Sequence, residues 1–180
     1  MKILICSDTH RKDENLKKVL ELESPLDMLI HLGDAEGSET MYQNWLPPST
    51  QLIVVRGNND FFSSLDSERA VKIGKYNCLL THGHYYNVSL DTEFIRKEAA
   101  ARGFDIAMFG HTHRPCLEEY RDVTILNPGS LSYPRQQGRR PTYMIMELDK
   151  SGKAIFTLKN LRTEKCFRKL FRKHFRHFGQ

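Results

Sequence analysis

The sequence predicts an α/β chain built from β-α-β units and finished by antiparallel strands. Three observations carry that reading. Short apolar runs rich in β-branched residues alternate with helical stretches; each run ends in a cluster of Asp, His, Asn or Gly; and from Val123 onward strands follow one another without intervening helices. Runs of three to six residues such as Leu52-Ile53-Val54-Val55 fit strands buried on both faces better than helices.

Taken in order, Lys2 to Ser7 is the first strand and ends in Asp8-Thr9-His10. Its four apolar residues after Lys2 fall short of the roughly 7 to 15 needed for the core of a secretion signal, so a cytoplasmic protein is expected. Asp13 to Leu22 follows as a helix with Leu16, Val19 and Leu20 on one face. Asp27 to Leu32 is the second strand and ends in Gly33-Asp34; inside it, His31 reads as a buried structural histidine. Gln51 to Arg56 ends in Gly57-Asn58-Asn59-Asp60, and Cys78 to Leu80 ends in Thr81-His82-Gly83-His84. A second helix over Ser89 to Arg102 opens with Ser89 as N-cap and acids in its first turn. Ile106 to Phe109 then ends in Gly110-His111-Thr112-His113.

Val123 to Leu126, Thr142 to Leu148 and Ala154 to Leu158 complete the chain as antiparallel strands, the last two joined by the turn Lys150-Ser151-Gly152-Lys153. The loop from Asn127-Pro128-Gly129-Ser130 to Pro141 is rich in Gly, Pro and Arg and is expected near the rim of a site. Within it, Arg135 reads as a solvated loop arginine or as a planar fork for a phosphate.

Length and charge narrow the function classes. At 180 residues the chain suits one main domain with a core of its own. The net charge of +5 is localised: residues 166 to 180 hold Arg168, Lys169, Arg172, Lys173 and Arg176 with no acid, which leaves 22 charges of each sign on residues 1 to 165. A generally basic, nucleic-acid-coating body is thereby excluded. No apolar stretch reaches the roughly 20 residues that span a bilayer. Cys6, Cys78, Cys116 and Cys166 form no C-x-x-C pair and read as reduced structural thiols.

In an α/β sheet the carboxyl ends of the strands carry the ligand site, so five polar clusters at five such ends can converge. They supply Asp8, His10, Asp34, Asn58, His82, His111 and His113. Carboxylate and imidazole donors suit divalent transition metals, and seven donors exceed one tetrahedral ion. Two metals about 3.5 to 4 Å apart with a bridging carboxylate use the set. The pairs Asp8-x-His10 and His111-x-His113 fit this picture, since residues two apart past a strand point the same way.

These clusters resemble the calcineurin-like metallophosphoesterases, and within them the small YfcE-like and MJ0936-like phosphodiesterases. The family pattern D-x-H, G-D, G-N-[HC]-[DE], H-G-H and G-H-x-H stands here, in order, as Asp8-Thr9-His10, Gly33-Asp34, Gly57-Asn58-Asn59-Asp60, His82-Gly83-His84 and Gly110-His111-Thr112-His113. The resemblance covers residues 1 to about 160 and includes Asn127-Pro128-Gly129-Ser130. It implies a four-layer α/β/β/α sandwich of two mixed sheets, with Asp8, His10 and His113 on one metal, Asn58, His82 and His111 on the other, and Asp34 bridging. It implies manganese, or else iron, zinc or nickel, and a metal-bridging hydroxide that attacks phosphorus.

At the position where many members carry a histidine stands Asn59, which has no proton to give a leaving alkoxide. Loss of a general acid forfeits about 10² to 10⁴ in rate, least where the leaving group is a weak base. In the subgroup resembled here that histidine is also replaced, often by cysteine, which implies phosphodiesterase activity on aryl or cyclic diesters, while Asn59 disfavours alkyl monoesters and phosphoproteins. Asp60 reads either as a turn aspartate or as a group that orients Asn58 or a histidine ring. His84 either faces solvent or touches a phosphoryl oxygen.

Two further classes compete with the phosphodiesterase: a non-catalytic scaffold of the same fold, and a nuclease, which the neutral body disfavours. The tail, residues 166 to 180, places Phe167, Leu170, Phe171, Phe175 and Phe178 on one helical face with cations opposite. Such a helix docks on its own domain or a second subunit, lies on an anionic membrane, or meets RNA or a protein groove.

Overall fold

The structure is a computed structural model in which residues 1 to 161 are described; the tail expected over 166 to 180 lies outside them. In chain order the elements are β1 (Lys2–Cys6), α1 (Glu14–Glu23), β2 (Met28–His31), α2 (Glu39–Trp45), β3 (Gln51–Val54), β4 (Glu68–Ile73), β5 (Tyr76–Thr81), α3 (Glu93–Ala101), β6 (Ile106–Met108), β7 (Cys116–Glu119), β8 (Thr124–Asn127), β9 (Thr142–Leu148) and β10 (Ala154–Asn160). They form two five-stranded mixed sheets, ordered β10-β9-β1-β2-β3 and β4-β5-β6-β8-β7.

Each sheet has three parallel strands: β1-β2-β3 form one side of the first sheet, with β9 and then β10 beyond β1, each antiparallel to its neighbour, and β5-β6-β8 form the centre of the second, with antiparallel β4 and β7 on either side. Strand alternation explains the layering. In β1, Ile3 and Ile5 enter the core between the sheets with Leu80, Met108 and Leu126, while Leu4 and Cys6 meet Leu16, Val19 and Tyr42 of the outer helices. Leu79, Ala107 and Ile125 face outward from the second sheet onto Ile95 and Ala99 of α3. The result is helix, sheet, sheet, helix. It places the carboxyl ends of β1, β2, β3, β5 and β6 along one edge.

Three expectations need correction. Val123 to Leu126 does not enter as an antiparallel strand: β8 runs parallel to β6 and receives its antiparallel partner from β7. The second helix begins at Glu93, because Asp91 Oδ1 accepts the Glu93 N–H at 2.9 Å and holds residues 89 to 92 in a turn. Thr92, at the N-cap position, instead donates its hydroxyl to Glu118 Oε2 at 3.1 Å. Finally, α2, β4 and β7 were not expected. Edge strands such as Glu68-Arg69-Ala70-Val71-Lys72-Ile73 carry little of the apolar pattern, and α2 buries only Tyr42.

Candidate metal centre

The five strand-end loops meet so closely that glycine is required at their crossings. A Cβ on Gly57 would sit 2.1 Å from Asp34 Oδ1 and 2.4 Å from the Asp34 backbone nitrogen. One on Gly110 would sit 2.0 Å from Ser7 Oγ. The loops also bend through the left-handed region: φ is +57° at Asp8, +47° at His10, +57° at Asp34, +67° at His111 and +57° at His113. Such backbone costs an L-residue about 1–2 kcal/mol and persists where the surroundings impose it. Asp8 and His10 therefore share a cavity through a kinked turn and not by extension of the strand. Between them Thr9 faces the opposite way and is fully buried.

Histidine tautomers follow from their partners. His82 Nδ1 donates to the Leu32 carbonyl at 2.6 Å, His113 Nδ1 to the Tyr133 carbonyl at 2.7 Å, and His10 Nδ1 to Glu36 Oε1 at 2.7 Å. Each ring thus turns its Nε2 lone pair inward. His113 Nε2 lies 3.1 Å from Asp8 Oδ1 and 3.3 Å from His10 Nε2; His82 Nε2 lies 3.4 Å from Asp34 Oδ2 and 3.0 Å from Asn58 Oδ1. Asp34 Oδ2 is also 3.8 Å from His10 Nε2, so this carboxylate faces both groups. Asp8 Oδ1 is buried and accepts no hydrogen bond.

Inward lone pairs around an unsatisfied, buried carboxylate oxygen are repulsive unless cations occupy the centre. The donor set fits divalent metals, and two groups of potential ligands result: Asp8, His10 and His113, and Asp8, Asp34 and His82. Their field shows in the protonation equilibria. Burial opposes charge on His82, yet hydrogen bonding and charge from Asp34, with the charge of Asp8, raise its pKa. Burial likewise opposes charge on Asp34, but His82 and two Asn59 donors hold its carboxyl well below the usual carboxylate range.

The other sequence candidates fall as follows. Asn58 is exposed beside His82, and the His111 ring packs edge-on to His82 at 5.2 Å, while the His111 N–H reaches Asp8 Oδ2 at 3.2 Å. Asn59 holds Asp34 twice, its backbone N–H on Oδ1 at 2.8 Å and its Nδ2 on Oδ2 at 2.6 Å. Asp60 orients neither Asn58 nor a ring. It is buried and accepts the backbone N–H groups of Asp34, Gly57 and Glu36, tying the loops after β2 and β3 together. His84 is half-buried, its ring 5.5 Å from His82 and 6.1 Å from His111; burial and those two histidines push its pKa down to about 4.

Several supports were not foreseen. Glu36 fixes His10, with no sequence signal beyond an acid two residues after Asp34. Asn127 to Leu131 does not lie on the rim: it is buried, where Ser130 Oγ donates to the Asp8 carbonyl at 2.8 Å and Asn127 Nδ2 to the Gly110 carbonyl at 2.6 Å. Only the continuation reaches the rim, through Tyr133, Arg135, Arg139 and Pro141. Beneath the centre His31 is structural as expected. Its Nε2 lies 3.2 Å from Thr9 Oγ1, which is 2.9 Å from the Tyr42 hydroxyl, which donates to Asp13 Oδ1 at 2.9 Å. Burial lowers the His31 pKa to about 4, so the ring is neutral.

The metal-ligand candidates open into a cleft of about 770 Å³, lined by His10, Asp34, Asn58, Asn59, His111 and His113 on one side and the Tyr133–Pro141 loop on the other. Arg135 also lines an adjoining cavity of about 340 Å³ with Arg114, Ser89, Thr92 and Thr112.

Comparison with known proteins agrees with this geometry. Residues 1–151 match the calcineurin-like phosphoesterase superfamily domain. "Probable metallophosphoesterase YsnB" of Bacillus subtilis is 32% identical over 156 residues, 86% of this chain and 89% of that protein. "Phosphodiesterase MJ0936" of Methanocaldococcus jannaschii is 30% identical over 145 residues, 72% of this chain and 83% of that protein. Among solved structures, a conserved Streptococcus pneumoniae protein described as a predicted phosphoesterase superposes with a TM-score of 0.73 at 25% identity, covering 89% and 88% of the two chains. Vps29 of Chaetomium thermophilum, at 22% identity and a TM-score of 0.68 over 89% and 95%, shares the fold. The chain thus belongs to the calcineurin-like phosphoesterase superfamily, among relatives that include the MJ0936 and YfcE phosphodiesterases.

Proposed function

We propose that this protein is a dimetal phosphodiesterase. The observation that carries the reading is the convergence of three inward-facing Nε2 lone pairs on two buried carboxylates, one with an oxygen that lacks any hydrogen bond. Asp8, His10 and His113 would hold one ion, Asn58, His82 and His111 the other, with Asp34 facing both. Divalent ions supply a nucleophile at neutral pH and charge for the phosphoryl oxygens; manganese is the first choice, with iron, zinc and nickel as alternatives.

The remaining work falls to the chain. Glu36, Leu32 and Tyr133 fix the rings through their Nδ1 protons, and Asp60 holds two loops in register. Asn59 keeps Asp34 in place but carries no titratable proton, so the substrate must bring a leaving group that departs without one. Free, deeply buried Cys6 and Cys78, whose thiols burial pushes up, suit a reducing cytoplasm. Among the described residues no helix is long and apolar enough to cross a membrane. The tail, for its part, is proposed to dock on its own domain or on a second copy.

Asp34→Asn or His82→Ala should reduce hydrolysis of bis(p-nitrophenyl) phosphate in manganese to background. Substantial residual activity in either variant refutes the assignment. The scaffold reading is separated by turnover, since a scaffold hydrolyses no diester in any metal.

A further inference from the structure

One strip of the first sheet's outer face lies bare among the described residues, and it belongs to β10, the edge strand. Ala154, Phe156 and Leu158 pack into the core between the sheets, so Ile155, Thr157 and Lys159 face the other way. Lys159 Nζ fixes that direction, for it reaches Glu23 of α1 at 2.8 and 3.0 Å. The apolar cluster beneath α1 and α2 takes in Tyr143 and Ile145 of β9 but, among the described residues, none of β10. Ile155 stays 46% exposed, and Leu22, one residue before Glu23 on α1, 68%. Glu147, opposite Ile155 in the β9-β10 ladder, adds an exposed acid to the same face.

The chain's own continuation is placed to cover this strip. Leu161, directly after β10, packs against the cluster on the outer side and donates its N–H to the Pro141 carbonyl at 3.0 Å. The chain therefore leaves β10 on the side of α1, and 19 residues follow. The first four, Arg162-Thr163-Glu164-Lys165, make a connection of ordinary length between neighbouring elements. The next fifteen, residues 166 to 180, extend about 22 Å as a helix, against about 23 Å for the seven residues of β10. A helix of that length is marginal alone in water and needs an apolar partner for its face. Phe167, Leu170, Phe171, Phe175 and Phe178 form the face, with the cations opposite and no acid among them.

We infer that residues 166 to 180 run back along β10 of their own chain, as a helix that lays its phenylalanine face on Ile155, Thr157 and Leu22 and turns its cations toward Glu147 and solvent. This commits the tail to one of the two placements proposed above and rests on that reading. None of the strip residues lines the cleft of the metal centre, so docking contributes to stability and not to turnover.

Hydrogen exchange read by mass spectrometry, on the full chain at a concentration where sedimentation velocity shows a monomer, tests the placement. Amides of residues 166 to 180 should exchange about tenfold or more slowly than an unstructured chain of that sequence. Ile155→Glu should abolish the protection, and Leu22→Glu, at an exposed position outside the core, should reduce it. Ile155→Glu should also lower Tm of the full chain by about 5 °C and that of a chain ending at Lys165 hardly at all, because in the shorter chain the strip is already bare. The shorter chain keeps every described core residue, so its hydrolysis of bis(p-nitrophenyl) phosphate should equal that of the full chain. Protection that survives both substitutions, a Tm shift equal in the two chain lengths, or hydrolysis lost on truncation overturns the assignment to this strip. Protection confined to concentrations at which a dimer sediments overturns it as well, although docking on a second copy then stands. No protection at any concentration, or protection only on vesicles of phosphatidylglycerol and phosphatidylcholine, overturns the strip and the docking reading together.

Discussion

Asp34 shows how little freedom a single residue of the centre retains. Its backbone N–H is held by Asp60, its Oδ1 by the Asn59 N–H, its Oδ2 by Asn59 Nδ2, and its φ of +57° is imposed by the loops around it. Gly57 passes so near that a methyl group there would meet the carboxylate at 2.1 Å and the backbone nitrogen at 2.4 Å, and backbone cannot yield as a flexible side-chain end can. Gly57→Ala should therefore displace Asp34 and lower kcat for an aryl diester by about 10², the penalty of a misplacement near 1 Å. Steady-state kinetics beside a thermal melt check this, and a folded variant with full activity contradicts the packing argument. The donor types at each strand end were legible in the sequence. The left-handed backbone at Asp8, His10, Asp34, His111 and His113 was not, because even Asp and His, which enter that region more often than most residues, do so in a small minority of positions that residue type alone does not mark.

At the scale of elements, legibility followed burial. Strands buried on both faces, such as β1 and β2, announce themselves as apolar runs, whereas β4 and β7 at a sheet edge mix charged with apolar residues without a regular period and carry a weak signal. Parallel against antiparallel pairing of β8 was illegible because it depends on β7 filling the edge. The attachment of α1 to the first sheet was also hidden, for it rests on a buried carboxylate with distant partners. Glu23 accepts from the Tyr143 hydroxyl at 2.7 Å and from Lys159 Nζ at 2.8 and 3.0 Å, and pairs with Lys2 Nζ at 3.0 Å, linking the helix to β9, β10 and β1. Burial alone would raise its pKa, but the hydrogen bonds from Lys159, Tyr143 and Lys2 prevail and hold it below its ordinary value of 4.5. A depressed folded pKa gives stability that is present above the unfolded value and lost as pH falls through the folded one. Urea unfolding from pH 7 to pH 3 should show the native protein losing stability below about pH 4.5. Glu23→Gln should start lower at pH 7 and change less across that interval. Parallel curves for the two proteins contradict the linkage.

Over the whole molecule, the two sheets act as a frame that forces like charges together at one edge. Asp8 and Asp34 are 0% and 1% exposed and face inward histidine lone pairs, so folding with neutral histidines and no cation leaves repulsion that the packed core between the sheets must offset. The ions are thus expected to contribute to stability as well as to chemistry, because the unfolded chain holds no comparable ligand set. At free manganese of 100 times Kd, one site adds about 2.7 kcal/mol, which for a domain of this size raises Tm by roughly 5–10 °C. Differential scanning calorimetry of chelator-stripped protein titrated with manganese should show Tm climbing with the logarithm of metal concentration. Asp34→Asn should blunt the rise, because it removes the charge that faces both ligand groups, and magnesium should raise Tm less, since nitrogen donors suit it poorly. A Tm indifferent to manganese while the protein stays folded would mean that the cluster is satisfied by protons alone, and the dimetal centre would have to be abandoned.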